Sequence, residues 1–177
     1  MILKVARLGH PVLRQRAAAV DPTAIATPEF QHLLDDMVET MHEYSGVGLA
    51  APQVHLSLQV AVLEVENHPR HPGMPKVPLT YLINPVVSVL DGTSVDDWEG
   101  CLSIPELRGN VPRARQLRVS ALGRDGEAVE FVAEEFHARV IQHETDHLNG
   151  AVYLDRMANL HSLSYLLEWQ RYMLERE

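Results

Sequence analysis

The pentapeptide HETDH at residues 143–147 constrains this chain more than any other feature. On an α-helix, positions i and i+4 lie on one face, so His143 and His147 can hold one metal ion. Glu144 lies beside the first histidine and can reach a water molecule at that metal. The segment EEFHARVIQHETDHLNG has apolar residues at helical spacing and ends in Asn-Gly. We predict a buried metal-binding helix, with a pair of structural histidines as the alternative.

A hydrolytic metal site of this kind usually has a third protein ligand, and the sequence offers two candidates. One zinc-protease pattern ends in a third histidine, but Tyr153 occupies that position here. Another protease pattern uses a downstream glutamate, for which Glu168 is the candidate, although a solvated charge on a C-terminal helix is the alternative. The other candidate is Cys101 in EGCLSIP, because a thiolate is stabilised beside a divalent cation.

The charge balance and the single cysteine exclude several classes of protein. The 177 residues, 46% of them hydrophobic, fit one domain over residues 1–177 with a sizeable core. A net charge of −9 argues against a broad nucleic-acid-binding surface, and no apolar run approaches the ~18 residues that cross a membrane. Cys101 has no cysteine to pair with, which suits a reducing compartment. Residues 1–20 lack the apolar core of a signal peptide, and their basic character leaves a transit peptide as an alternative.

Capping and turn signals predict an α+β domain. Thr27 followed by proline and an acid begins a helix that Gly46 ends, and Asp125-Gly126 marks a hairpin. Pro85 interrupts an extended segment. The predicted elements are the helix after Thr27, strands over 58–65, 79–90, 116–122 and 128–133, a loop over 68–78, the HExxH helix and a last helix over 162–175. They predict a single domain of small antiparallel or mixed sheets around the central HExxH helix, with a C-terminal helix.

Three motifs in order resemble the signature motifs of the peptide deformylase family: GVGLAAPQ at 46–53, EGCLSIP at 99–105 and QHETDHLNG at 142–150. Alone, the first is a glycine-rich loop without the GK[ST] ending of a phosphate loop, and the second is a turn around a buried cysteine. The resemblance extends from ILKVARLGHPVLR to about Met157. Members of this family remove the N-formyl group from the initiator methionine of nascent chains in bacteria and organelles, releasing formate.

The resemblance implies a role for each matching residue. The metal ligands would be Cys101, His143 and His147, with water or hydroxide in the fourth position. Glu144 would act as general base and then general acid. Gln53 and the Leu102 N–H would be the oxyanion donors, and the backbone of Gly48 would face the peptide. Val47, Phe136 and Val140 would form the methionine pocket, and Arg108 would lie near the substrate backbone. The alternative for the three pocket residues is ordinary core packing. The alternative for Arg108 is a surface arginine without a role in the site.

The family resemblance also implies a cofactor, partners and a location. Fe²⁺ is the implied metal, with Zn²⁺ or Ni²⁺ as substitutes, because a Cys-His-His set suits several such cations. The implied partners are nascent formyl-Met peptides and the ribosome near its exit tunnel, in a bacterial cytoplasm rather than an organelle, without a membrane or sequence-specific nucleic acid. Two departures, Ser45 where some members have an acid and Asp97 where many have an apolar residue, leave substrate preference beyond methionine open.

Two rival functions remain on the residues alone. The first is a metallopeptidase that cuts internal peptide bonds with Glu168 as third ligand. The second is a non-catalytic metal-binding or ribosome-associated module with a deformylase-like fold.

Overall fold

Helix α2 carries the HExxH motif and packs against strands of two antiparallel sheets. The structure is a computed structural model that describes residues 1–66 and 76–173. Its α-helices are α1 (Pro28–Glu43), α2 (Glu135–Leu148) and α3 (Leu166–Tyr172). Its strands are β1 (Gly48–Ala50), β2 (Val60–Val65), β3 (Val77–Val89), β4 (Ser94–Cys101), β5 (Ile104–Ala114), β6 (Gln116–Leu122), β7 (Ala128–Glu134) and β8 (Ser164–Tyr165). The predicted α+β class and C-terminal helix are confirmed.

The larger sheet has the strand order β1-β2-β3-β6-β7 and separates two hydrophobic clusters. Successive side chains of a strand point to opposite faces, which β2 shows directly. Ala61 and Leu63 pack with α2, whereas Val60 and Val62 pack with α1. Both helices therefore bury their apolar faces on this one sheet, and α2 is fixed from one side.

The smaller sheet has the order β4-β5-β8 and places a cysteine next to α2. Strands β4 and β5 form a hairpin whose tip is Leu102-Ser103, so Cys101 is the last residue of β4. The sequence did not predict this hairpin, because the first four residues of β4 are all exposed and show no alternation.

Most helix and strand ends lie where the capping and turn residues of the sequence predict them. The Thr27 hydroxyl accepts the Phe30 N–H at 3.4 Å, which caps α1, and α1 ends three residues before Gly46. The hairpin at Asp125-Gly126 is confirmed as β6–β7, and Pro85 lies where the β3–β6 register shifts. Gly150, just after α2, has a φ of +75°, which only glycine adopts without strain.

Three expectations need correction. The predicted last helix over 162–175 is shorter, because residues 164–165 form β8, and residues 174–177 lie outside the described part. The predicted loop over 68–78 lies mostly outside the described residues, and its end at Val77-Pro78 already belongs to β3. The first motif forms β1 and a 3-10 helix, Ala51–Val54, rather than a loop. Within the described ranges, no helix is both long and apolar enough to span a bilayer.

Candidate metal centre

Cys101, His143 and His147 converge at one point between α2 and the β4–β5 hairpin. One potential ligand atom from each residue lies within 4.8 Å of those of the other two. Cys101 Sγ and His147 Nε2 are 3.2 Å apart, and both side chains are buried. Burial alone would raise the pKa of the Cys101 thiol, but the charges of His147 and His143 hold it well below its usual range. A thiolate and two imidazoles form a donor set that fits a divalent metal ion.

A buried carboxylate orients one of these ligands. Glu99 Oε2 lies 2.9 Å from His143 Nδ1. Burial favours the neutral acid, but hydrogen bonds from Arg113 and His143 hold the pKa of Glu99 far below its usual value, so the carboxylate is ionised and only accepts. His143 therefore carries its proton on Nδ1 and turns Nε2 toward the other two ligands.

Two buried arginines complete the surroundings of Glu99. Arg113 donates from Nε and Nη2 to Glu99 at 2.8 and 3.0 Å, and from Nη1 to Asp146 at 2.6 Å. Arg139 donates to Glu99 at 2.8 Å. Asp146 also binds Arg156, which closes the network on its outer side. The network ties α2 to β4 and β5 on both sides of the ligand His143.

The Glu144 side chain lies against the backbone of β1. A Cβ on residue 48 would be 2.8 Å from Glu144 Cδ, so glycine leaves the space that this carboxyl group occupies. Glu144 is 3% exposed, and its Oε2 atom has no hydrogen-bond partner among the described residues. Burial raises the pKa of Glu144 to about 7. A buried oxygen in this state can exchange a proton with a polar group at the metal centre near neutral pH.

The Gln53 amide points its nitrogen at the thiolate. Its Oε1 accepts the Ala50 N–H at 2.9 Å, which leaves Nε2 to face Cys101 Sγ at 3.4 Å and Ser103 Oγ at 3.3 Å. Gln53 is 1% exposed in the short helix after β1. Leu102 follows Cys101 at the hairpin tip, so its backbone is adjacent to a metal ligand. The structure thus gathers both predicted donors beside the centre.

The three predicted pocket residues belong to one hydrophobic cluster or pack against it. Val140 is buried in the cluster between α2 and the larger sheet, and Val47 and Phe136 pack against the same cluster, half-buried. The guanidinium carbon of Arg108 is 2.5 Å from the place of a Cβ on Gly100. Gly100 separates Glu99 from Cys101, so Arg108 lies beside the centre rather than on a remote surface.

The alternative third ligand, Glu168, is not brought to the centre. It lies on α3, half-exposed, with its nearest described ionic partner Arg171 one turn away at 3.9 Å. Tyr153 does reach the centre, but its ring lies against that of His143, with centroids 6.2 Å apart. Burial raises the pKa of its hydroxyl far above the usual value, so Tyr153 packs against a ligand as a neutral phenol.

Sequence reasoning missed the residues that support the ligands. Glu99 stands two residues before Cys101 inside a motif, and Asp146 stands inside HETDH, so their positions were a signal that could have been used. Arg113 and Arg139 pair with Glu99 across 14 and 40 residues, and no local pattern marks such pairs.

Fold and centre together define a metal-dependent hydrolase in which a cysteine joins the two histidines of HExxH. The model of the family "Polypeptide deformylase" matches residues 2–162. Peptide deformylase 1 of Nitrosomonas europaea is 47% identical over 165 residues, which cover 93% of each chain. Peptide deformylase 2 of Bordetella bronchiseptica shows the same identity and coverage. The Met-Ala-Ser-bound class I type b peptide deformylase of Acinetobacter baumannii superposes with a TM-score of 0.85 at 38% identity, covering 89% of this chain and 99% of that one.

The chain therefore belongs to the polypeptide deformylase family. Its activity is the metal-dependent removal of the N-formyl group from formylated nascent peptides, and its metal site is formed by Cys101, His143 and His147.

Proposed function

We propose that Glu144 carries the proton transfers of this deformylation, with formyl-Met peptides as substrates. The observation that supports this most directly is the burial of the Glu144 carboxyl group beside the three converging ligand atoms. A divalent metal held by Cys101, His143 and His147 would lower the pKa of water toward ~7 and polarise the formyl carbonyl. Glu144 takes the proton of the attacking water and returns it to the leaving α-amine, a role typically worth ~10²–10⁴-fold in rate.

Gln53 and Leu102 act as the oxyanion donors in this proposal. The Ala50 N–H fixes the amide of Gln53 so that Nε2, a donor, faces the centre. The backbone N–H of Leu102 stands next to Cys101 in the chain and supplies the second donor. Preorganised donors of this kind each lower the activation free energy by ~3–4 kcal/mol.

The substrate lies along β1. This strand pairs with β2 on one side and is the edge strand of the larger sheet over the described residues. Gly48 presents its backbone to the peptide, because an edge strand offers N–H and C=O groups to an added chain. Val47, Phe136 and Val140 surround the methionine side chain, and Arg108 contacts the peptide backbone.

We further propose Fe²⁺ as the physiological metal, with Zn²⁺ or Ni²⁺ able to replace it, and residues 1–177 as one catalytic domain. The donor set is compatible with all three ions. Metal analysis of protein purified without oxygen tests the assignment, and zinc alone at full occupancy would overturn iron. The proposed setting is the bacterial cytoplasm near the ribosomal exit tunnel, where formylated chains emerge.

The test of this function is formate release from formyl-Met-Ala-Ser by anaerobically prepared, metal-loaded protein. We expect release by the native chain and a loss of at least ~10²-fold in Glu144→Gln, with the metal content retained. Unchanged activity in this variant would remove Glu144 from its role. Metal loss in Cys101→Ala but not in Glu168→Ala would separate the deformylase centre from the metallopeptidase alternative.

A further inference from the structure

Trp169 is the buried residue of the C-terminal helix α3, whose other residues are exposed or half-buried. Trp169 is 6% exposed, whereas its neighbours Leu167 and Tyr172 are 72% and 52% exposed. The indole lies 6.0 Å from the ring of Trp98 on β4. The guanidinium carbon of Arg108 lies 5.9 Å from the indole on another side. The helix therefore docks on the smaller sheet through one aromatic ring, and that ring contacts an arginine of the centre.

Strand β8 attaches the C-terminal segment to β5 at that same arginine. In the β5–β8 pair, Arg108 is opposite Ser164 and Leu107 is opposite Tyr165. Helix α3 begins directly after β8, so the chain turns at this pairing and brings Trp169 over the Arg108 side chain. Backbone pairing and side-chain stacking thus act on one residue of the site.

The position of Arg108 is restricted on its other side as well. Its guanidinium occupies the space that a side chain on Gly100 would fill, against the backbone between Glu99 and the ligand Cys101. An arginine side chain has several rotatable bonds and loses conformational entropy when a ligand orders it. A face-on aromatic ring attracts the cation and reduces that loss, since the side chain is already ordered before binding.

We propose that Trp169 is a positioning residue that holds the Arg108 guanidinium against Gly100, so that helix α3 supports the substrate site through this one side chain. This inference rests on the proposed function, in which Arg108 contacts the peptide backbone. Because Trp169 acts through Arg108, its effect is on peptide binding rather than on the chemical step. The expected signature is a higher KM with little change in kcat.

A double-mutant cycle on formyl-Met-Ala-Ser tests the proposal, with Trp169→Ala, Arg108→Ala and the double variant in metal-loaded form. We expect Trp169→Ala to raise KM about three- to tenfold with kcat within about twofold of the native value. In the Arg108→Ala background, the same substitution should change KM by less than about twofold, because the residue through which Trp169 acts is gone. Trp169→Phe keeps an aromatic face and should recover most of the native KM.

The control is Leu167→Ala, an exposed position on the same helix, which should leave KM and kcat unchanged. Equal factors for Trp169→Ala in both backgrounds, or an unchanged KM, would overturn the proposal and leave Trp169 as packing alone. If Trp169→Ala does not fold, the cycle is run with Trp169→Leu, which fills the buried space without an aromatic face. Equal factors in both backgrounds then overturn the proposal, and a smaller factor in the Arg108→Ala background supports it. Absence of formate release by the native chain is a different result, which would reject the proposed function itself.

Discussion

Glu99 Oε2 lies 2.9 Å from His143 Nδ1, and the two side chains are 4% and 12% exposed. This contact fixes the tautomer of a metal ligand, and the same carboxylate is held by Arg113 and Arg139. A carboxylate behind a histidine ligand raises the basicity of the ring and restricts its rotation. Metal affinity therefore depends on a residue that does not touch the metal.

Glu99→Gln tests this dependence. The substitution keeps the shape of the side chain but removes the charge that both arginines and His143 share. We expect metal affinity, measured by competition with a chelator, to fall ~10–100-fold. The free energy of unfolding should fall by ~3–5 kcal/mol, because the buried guanidinium of Arg139 loses its counter-charge and that of Arg113 keeps only Asp146.

The matched control for this variant is Glu135→Gln. Glu135 also pairs with an arginine, Arg115, at 2.5 Å, but both side chains are about half exposed. Exposed pairs contribute ~0–1 kcal/mol, so metal affinity and stability should stay near the native values. Equal metal affinity in the two variants would mean that Glu99 has no orienting role.

Gly48→Ala tests the contact between β1 and Glu144. A Cβ at this position would lie 2.8 Å from Glu144 Cδ, so the carboxyl group must move. We expect kcat for formate release to fall at least ~10²-fold, while Cys101, His143 and His147 keep the metal. Gly92→Ala is the control, since a Cβ there meets no atom within 4 Å. A Gly48→Ala protein with native kcat would show that the position of Glu144 is not critical.

The ligand set could be predicted from sequence because each ligand lies within a short motif. The helical spacing of His143 and His147 is a local property, and α2 ends at the predicted C-cap, Asn149. Cys101 was one of two candidates on the residues alone, and the resemblance of three ordered motifs favoured it. Arg113 gave no such signal, since its partners Glu99 and Asp146 come from distant parts of the chain. Short motifs report local geometry, whereas a buried ion network depends on the packing of α2 against β4 and β5.

The secondary structure shows the same limit. The β6–β7 hairpin was predicted because Asp125-Gly126 and two apolar segments are contiguous in the chain. Strand β8 is two residues long, and it forms because β5 offers a free edge near Arg108. A two-residue strand has no periodicity of its own, so the sequence favoured an extension of α3 instead.

His137 should make stability depend on pH. Its ring stacks on Phe131 with centroids 5.5 Å apart, and its Nε2 is buried without a hydrogen-bond partner among the described residues. Burial lowers the pKa of His137 below its ordinary value of 6.5. The unfolded chain therefore takes up the proton first as pH falls. The stability contribution of the neutral ring is complete above pH ~6.5 and decreases as pH falls from there toward the folded-state pKa.

The measurement is the free energy of unfolding at several pH values in native protein and His137→Phe. The phenyl ring preserves stacking and does not titrate, so the difference between the two proteins should grow in favour of the variant as pH falls below 6.5. Leu167→Ala, at an exposed position without a titratable group, serves as the control and should show a constant difference. A pH-independent difference for His137→Phe would contradict the assignment.

Phe136→Ala tests the pocket for the methionine side chain. Phe136 is half-buried at the edge of the cluster that contains Val140, one turn before it on α2. Truncation would widen the pocket and remove apolar contact with methionine, while a bulkier side chain would gain room. We expect the ratio of kcat/KM for formyl-Met-Ala-Ser to that for formyl-Phe-Ala-Ser to fall about tenfold, as one to two lost apolar contacts would predict.

Phe131→Ala distinguishes pocket shape from stability. Phe131 is also half-buried against the same cluster, but it lies on β7 and stacks on His137. Both truncations should lower the free energy of unfolding through lost apolar burial. Since a ratio of kcat/KM values for two substrates does not depend on the fraction of folded enzyme, only Phe136→Ala should change it. An equal change in both variants, or none in Phe136→Ala, would place the methionine side chain elsewhere.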